Sequence, residues 1–563
     1  MKKTLSAAWP ALLLASLILL PWLNKAHTTD DTTFLLMSEH VLKDPLHPAA
    51  FEMLADGNRI RLSSQLVSGP VMAYLLVPSV LLGGAEWAAH LVQYLLMIAA
   101  ILATGSLAFR LGLDHRGARL AGLLLASTPA VMAMATTSMA DVPAMAFGVL
   151  GMEQYVAWRQ GLRWTHGLAA SLCFALAALS RPHLILLLAV AFALECGRLL
   201  PGAPASRRPG SPETASSLRT KDSSPASGPP ASNTGKGSRL RLLPVFAAVV
   251  FILLVTFLTA DPTRSGSHFM AASISRFHPV NAASNMAAFF LHWILVFPLG
   301  FLWLSLGVRW RKVWSNPAPW LAALVTLLIW FLDRGVHRVP EYALALAFGG
   351  ALVILDIAVD AYQRRDFVQA FLWCWLLIAL PAVAYVQLPC RYLLGAAPGA
   401  AILLAFLIRR SGRITVVKWA VVSAGVALAL LIIAADAEFA AFGRRIAAEQ
   451  IAPRVAKGDQ VWVNSEWGFE WYALKAGAIP LAKQPPYPLP GDVLVSSSAA
   501  PHISLDLLPN RQLFDSISQS SHYGRIMSSP AGFYSNGYGY LPWMCGSGQI
   551  ERITISEIQY TDP

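Results

Sequence analysis

The sequence predicts an all-α polytopic membrane protein of about 13 transmembrane helices, with a small α/β domain at its C-terminal end. Three observations carry this reading. First, 56% of the 563 residues are hydrophobic and only 13% are charged, against roughly 25% charged in soluble domains. Second, the apolar residues fall into runs of about 15 to 24, near the ~20 residues a helix needs to cross hydrocarbon. Third, the charges are sorted along the chain. Segments assigned to the cytoplasm carry 24 Lys and Arg against 8 Asp and Glu, the outer loops 10 against 12, and the tail after position 437 9 against 11. The net charge of +12 is therefore a positive-inside bias rather than a nucleic-acid footprint, and no nucleic-acid partner is expected. Cysteines at 173, 196, 374, 390 and 545 show no paired spacing, so neither a disulfide framework nor a zinc motif is indicated.

The chain begins Met1-Lys2-Lys3, and the first apolar run, 7–23, reads as an uncleaved span with its N-terminus in the cytoplasm. No small-x-small cleavage site lies between this run and the acidic pair at 30–31. That pair sits in the stretch 27–34, His27-Thr28-Thr29-Asp30-Asp31-Thr32-Thr33-Phe34. A carboxylate at the bilayer centre costs about 2.5–3.5 kcal/mol on insertion scales, so the acidic pair belongs at the interface. There it either ends the helix in water or supplies a general base to a site at the membrane surface. The run 66–82 has Pro70 near its start and ends at Gly83-Gly84. It cannot span without placing the acidic pair and the basic turn 110–119 on the wrong sides. It is expected to lie in the outer interface as a juxtamembrane helix, with 25–69 forming a large first external loop.

Spans follow at 87–109, 120–135 and 143–158, the second delivering Asp141 and Pro143 to the outer face. Two shorter spans, 165–179 and 183–198, are broken at Ser180-Arg181-Pro182. The stretch 200–241 is rich in Ser, Pro, Gly and Ala, with seven Lys or Arg against two acids. It cannot bury a core and reads as a disordered cytoplasmic linker. It separates an N-terminal transmembrane module (1–199) from a second (242–436). Spans 242–260 and 286–308 flank a polar outer loop with Arg264, His268, Arg276 and His278. Further spans lie at 319–332, 343–359, 367–386, 392–408 and 417–435; their outer loops carry Arg334, His337, Arg338 and Arg391. The tail, 437–563, has strand-like runs at 460–464, 492–496 and 551–558 and a helix-like run at 467–476. It is expected to be a soluble extracytoplasmic α/β module. The aromatic stretch 533–543 either packs within that module or stacks on sugars.

Ionisable residues from separate loops thus converge on one membrane face. A carboxylate can take a proton from an acceptor hydroxyl, and arginines clamp phosphate through paired, charge-assisted hydrogen bonds. A lipid-linked phosphosugar needs both at that depth. Each residue also has a plainer reading. Arg181 can mark a helix break and snorkel, the loop Arg and His residues can be solvated, and Asp141 can be a turn residue or cap. No ligand spacing specifies a metal.

In motif order and sidedness the chain resembles the GT-C superfamily of integral membrane glycosyltransferases, and within it the protein O-mannosyltransferases and the bacterial lipid A aminoarabinose transferases (glycosyltransferase family 39-like). Those families follow their first span with Asp-Glu-x-x-Tyr, where this chain has Asp30-Asp31-Thr32-Thr33-Phe34. Their Pro-Pro-Leu juxtamembrane helix is reduced here to Ser68-Gly69-Pro70-Val71. Ser127-Thr128-Pro129, Asp141-Val142-Pro143, Arg181 and Arg391-Tyr392-Leu393 match later elements in order.

The resemblance implies transfer of a monosaccharide from a polyprenyl-phosphate carrier to an outer-face acceptor (lipid, protein or cell-envelope glycan) at the plasma, or bacterial inner, membrane. It implies Asp30, Asp31 and Asp141 as catalytic carboxylates and Arg181 and Arg391 as lipid-phosphate ligands, to which the outer-loop position adds Arg264 and Arg276. His268, His278 and Tyr392 would be acceptor or auxiliary residues. No cofactor is certain, and a divalent metal ion is left open. A transporter or lipid flippase is the alternative.

Overall fold

The structure is a computed structural model that describes residues 2–66, 68–196, 241–262, 274, 276–297, 301, 316–333, 338–410, 414–504 and 511–559. The expected linker 200–241, almost all of it, and Arg264, His268, Arg334 and His337 lie outside the described residues.

Each of the thirteen expected apolar runs contains helix. By length and apolarity, five helices among the described residues suffice to cross a bilayer: Glu86–Arg110, Glu341–Arg364, Phe367–Ala384, Cys390–Arg410 and Val416–Ala456. Five more are apolar but shorter: Ala8–Trp22, Trp164–Ser180, Pro182–Glu195, Leu243–Leu258 and Ala318–Leu332. Small residues bring the helices close. Gly350 and Gly425 lie so near the Phe290 and Ser127 carbonyls that an added Cβ would sit 2.0 and 2.2 Å from them.

Three boundaries differ from expectation. The run 120–135 is two helices, His115–Ala126 and Pro129–Met134. Pro129 disfavours helix at the preceding residue, and Thr128 is extended. Both hydroxyls of Ser127 and Thr128 turn back to the Leu124 carbonyl, at 3.3 and 2.7 Å. The juxtamembrane run is two short helices, Val71–Leu75 and Val77–Leu81, ending at Gly83 and Gly84 with φ of +75° and +78°. The last span does not stop near 435: helix Ile414–Ile446 runs on for 33 residues, so the tail grows directly out of it.

The tail is built on a five-stranded mixed sheet. Its strands are β3 (Val461–Asn464), β4 (Ile479–Pro480), β5 (Val493–Ser497), β6 (Arg511–Ser520) and β9 (Gln549–Ile558), in the spatial order β4-β3-β5-β9-β6. β3 runs parallel to β4 and β5; β9 is antiparallel to β5 and β6. Val463, Val495, Ile553 and Ile555 pack against Phe442 and Ile446 of the long helix, so the sheet builds its core on that helix's extension. Helix Trp467–Lys475 matches its expectation. Two short pairs complete the strands: β7 (Met527–Ser528) with β8 (Ala531–Gly532), and, in the first loop, β1 (Glu52–Ala55) with β2 (Asn58–Arg61). The β1–β2 hairpin turns through Asp56-Gly57, both at positive φ (49° and 69°), as a two-residue turn matched to strand twist requires.

Ion pairs tie the turns into two ends. At one, Lys25 pairs with Asp436, Asp30 with Arg391, Asp141 with Arg181 and Arg61 with Asp261. At the other, Arg110 pairs with Glu153, Arg409 with Asp114 and Arg410 with Asp366. The turns expected to share a membrane face do meet.

Candidate active site

A cavity of about 620 Å³ opens at the first of these ends. Asp30, Arg181, Arg391 and Tyr392 form one wall, hairpin β1–β2 and Gln65 another, and Glu466, Trp467, Glu470 and Trp471 of the C-terminal domain a third.

Asp30 sits at the start of helix Asp31–Val41, where successive side chains diverge by ~100°. Its Oδ2 lies 2.7 Å from Arg391 Nη1, with 42% of the side chain still exposed. Burial pushes this carboxyl up, but the Arg391 charge and hydrogen bond, with Arg181, outweigh it and hold it below the usual range. Arg181 donates from Nη2 to Asp141 Oδ2 at 2.6 Å and from Nη1 to Ser68 Oγ at 2.8 Å. Ser68 reaches it because Gly69 lies against the Leu179 carbonyl, which an added Cβ would meet at 1.7 Å. The ring of Tyr392 lies 5.4 Å from the Arg181 guanidinium carbon and 5.9 Å from that of Arg391. The Nε atoms of both arginines are buried without an acceptor. Arg391 and Arg181 each face one carboxylate, Asp30 and Asp141, and each keeps an unused Nε–H, so hydrogen-bonding capacity for an anion remains beside the pairs.

Asp31, expected to act beside Asp30, does not line this cavity. It is fully buried and accepts from Thr28 N (2.9 Å) and Ser138 N (2.6 Å), joining the first loop to the loop before Asp141. Burial pushes its carboxyl up to about 7 against the lowering by Lys25 and those amides. Asp141 does not line the cavity either; it stands behind Arg181 as its counter-ion, 1% exposed, with Oδ1 unpartnered. Arg276 does line the cavity, donating to Gln65 Oε1 at 2.7 Å. His278 and Arg338 are exposed outside it. A divalent cation between Asp30 and Asp141 does not fit this donor set, because each carboxylate already faces a guanidinium.

Sequence reasoning missed several contributors. Lys25 and Asp436 form a buried pair at 2.5 Å, with Lys25 also donating to the Thr136 carbonyl and Tyr534 OH to Asp436 Oδ2 at 2.7 Å. This fixes the first span's exit to the long helix and to the C-terminal domain. Tyr534 belongs to the aromatic stretch 533–543, which serves docking: Asn536 accepts from Leu388 N and donates to Asn285 Oδ1, both at 3.0 Å. Helix Trp467–Lys475 docks through Gly468, where a Cβ would sit 2.2 Å from the His27 carbonyl, and through Tyr472 OH to Glu86 at 2.9 Å. Glu466 reaches Asp56 N of the hairpin turn at 2.6 Å, closing the cavity's rim. The acids and tryptophans of 466–471 are the available signal for this wall, although in the sequence they read only as helix.

No family model matches the chain, and no curated protein matches it in sequence. Solved structures do overlay on it. ArnT from Cupriavidus metallidurans bound to undecaprenyl phosphate is 13% identical over 98% of each chain, with a TM-score of 0.46. The Archaeoglobus fulgidus oligosaccharyltransferase complex with Zn and sulfate is 14% identical over 87% of this chain and 68% of that one, at 0.48. The S. cerevisiae protein O-mannosyltransferase Pmt1-Pmt2 complex bound to its sugar donor is 11% identical over 50% and 36%, at 0.33.

Proposed function

We propose that the protein is an integral membrane glycosyltransferase that moves a monosaccharide from a polyprenyl-phosphate carrier to an acceptor hydroxyl outside the cytoplasm, with inversion. The observation that carries this is the cavity-facing carboxylate Asp30, set against Arg391 with Arg181 beside it, two guanidiniums that keep unused donors. The lipid phosphate would take the N–H groups of Arg391, with Arg181 and Arg276 adding positive field. Asp30 would then lose its closest counter-charge, and its proton affinity would rise towards what a general base needs.

The acceptor oxygen attacks the anomeric carbon, the bond from that carbon to the phosphate oxygen breaks, and the electron pair leaves on the arginine-bound phosphate. Asp30 takes the acceptor proton. Tyr392 holds both guanidiniums in place, and Asp141 fixes Arg181 from behind. Glu466, Trp467 and Trp471 cover the cavity on the side where acceptor and sugar would lie. The charge asymmetry of the loops supports a plasma-membrane position with this domain outside the cytoplasm. A transporter is less consistent with these features, because such sites lie near the bilayer midplane, whereas these charges gather at one end under a folded domain.

General-base assistance is worth ~10²–10⁴-fold in rate. The test is transfer of radiolabel from a polyprenyl-phosphate sugar by the purified protein. Wild type should move label off the lipid, and Asp30→Asn should slow this at least about a hundredfold while folding normally. Near-normal transfer by Asp30→Asn would remove it as the base.

A further inference from the structure

Outside the cavity lies a second cluster that the proposed transfer does not use. His27, Asp31 and His90 are each no more than 2% exposed, and one ligating atom of each lies within 4.8 Å of the other two. They come from two elements: the segment after the first span, and the first turn or two of helix Glu86–Arg110. His90 Nδ1 faces the Leu23 carbonyl at 2.8 Å, and His27 Nε2 faces the Gly84 carbonyl at 3.3 Å. A carbonyl oxygen only accepts, so those two ring nitrogens carry the protons. The remaining nitrogens, His27 Nδ1 and His90 Nε2, are bare lone pairs, and both are buried without a hydrogen-bond partner. Each Asp31 oxygen takes one backbone N–H and keeps a lone pair free.

With Asp31 ionised, the cluster therefore collects acceptors with no donor among them. Lys25 does not serve the free imidazole nitrogens: its Nζ faces Asp436 and the Thr136 carbonyl, and both nitrogens stay without a partner. We propose that His27, His90 and Asp31 hold a structural divalent metal ion, with zinc as the best match. Two imidazoles and one carboxylate suit that ion, and pinning each ligand's far nitrogen on a backbone carbonyl is how metal-binding histidines are oriented. A water would complete four-coordination. The ion would bind the first loop to helix Glu86–Arg110, making Asp31 a positioning residue for its neighbour Asp30. The site does not depend on the proposed transfer reaction, since its occupancy is read without any substrate.

The experiment uses the full chain, expressed in zinc-supplemented medium and purified through a tag free of histidine, with zinc per chain measured by mass spectrometry. About one zinc per chain is expected in wild type and less than about a fifth of that in His90→Gln and Asp31→Asn. Cys545→Ser, altering an exposed thiol, should keep the full complement. Because a ligand variant can fail to fold, wild type stripped with a strong chelator provides a second arm. Re-adding Zn²⁺ should raise its Tm by several degrees, and Mg²⁺ should not. Wild type without zinc above buffer and with a Tm indifferent to Zn²⁺ would overturn the site. So would a monodisperse His90→Gln protein that retains its zinc.

Discussion

Two sets of ion pairs in the helix bundle differ in character, although the end opposite the cavity also holds one buried pair, Arg159–Glu195, with side chains 7% and 8% exposed. At the end opposite the cavity, Arg409–Asp114 and Arg410–Asp366 have side chains between 27% and 50% exposed. At the cavity end, Arg181–Asp141 and Lys25–Asp436 have side chains no more than 5% exposed. Exposed pairs contribute ~0–1 kcal/mol, because water screens the charges and long side chains lose freedom. A buried pair contributes little net stability when intact, yet removing one partner destabilises by ~3–5 kcal/mol, because the other charge is stranded. The exposed set thus satisfies itself in solvent. The buried set keeps charge where water would have stabilised it better, and leaves arginine donors unused. Such an arrangement is understandable where an anion is to be bound.

The largest effect should come from breaking the buried end. Asp141→Ala strands the Arg181 charge and should destabilise the detergent-purified protein by ~3–5 kcal/mol in thermal or denaturant unfolding. A loss below about 1 kcal/mol would show that Arg181 has another counter-charge or reaches water. Asp141→Asn keeps the shape and removes the charge. It should lower stability less than Asp141→Ala and still cut transfer tenfold or more, by letting Arg181 drift from the cavity.

An intermediate effect is expected in the C-terminal domain. His502, its side chain fully buried, lies 3.2 Å from Glu466 and 3.1 Å from Glu470. Burial lowers its proton affinity, but hydrogen bonds and charge from the two glutamates outweigh this and raise its pKa from 6.5 to about 9. A raised folded-state pKa stabilises fully below 6.5 and is lost as pH climbs through about 9. Unfolding of this domain, followed by tryptophan fluorescence, should therefore shift to lower temperature between about pH 7 and 9.5. His502→Gln should flatten that dependence; an unchanged slope would mean another group titrates there. The smallest effect belongs to the exposed end, where Arg409→Ala should cost less than ~1 kcal/mol and leave transfer unchanged.

Much of the fold was legible because hydrophobic run length and charge sorting are strong signals: helix was found in every expected span, and the turns met at the expected ends. Strand β6 escaped because it is an exposed edge strand whose apolar residues, Leu513, Phe514 and Ile517, do not keep a regular alternation among Arg, Gln, Ser and Asp. The helix running past 435 escaped because the apolar run stops there; Lys25 pairs with the Asp436 that follows and Tyr534 hydrogen-bonds to it, so the helix continues. Within the site, Asp30, Arg181, Arg391 and Tyr392 were legible from their position after or between spans. The separation of Asp31 from Asp30 was not. It depends on Ser138 and Thr28 N–H groups brought in by tertiary structure, which adjacent letters in a sequence do not reveal.

The central claim, that the buried cations at one end form a lipid-phosphate site, is tested most directly by binding of polyprenyl phosphate without sugar. Wild type, Arg391→Gln and the opposite-end variant Arg409→Gln would be compared by native mass spectrometry or a fluorescence titration in detergent. A charge-assisted hydrogen bond to phosphate contributes ~1.5–3 kcal/mol, so Arg391→Gln should weaken binding by roughly ten- to hundredfold. Arg409→Gln should bind as wild type does. Equal binding by wild type and Arg391→Gln, or an equal loss in both variants, would contradict the account.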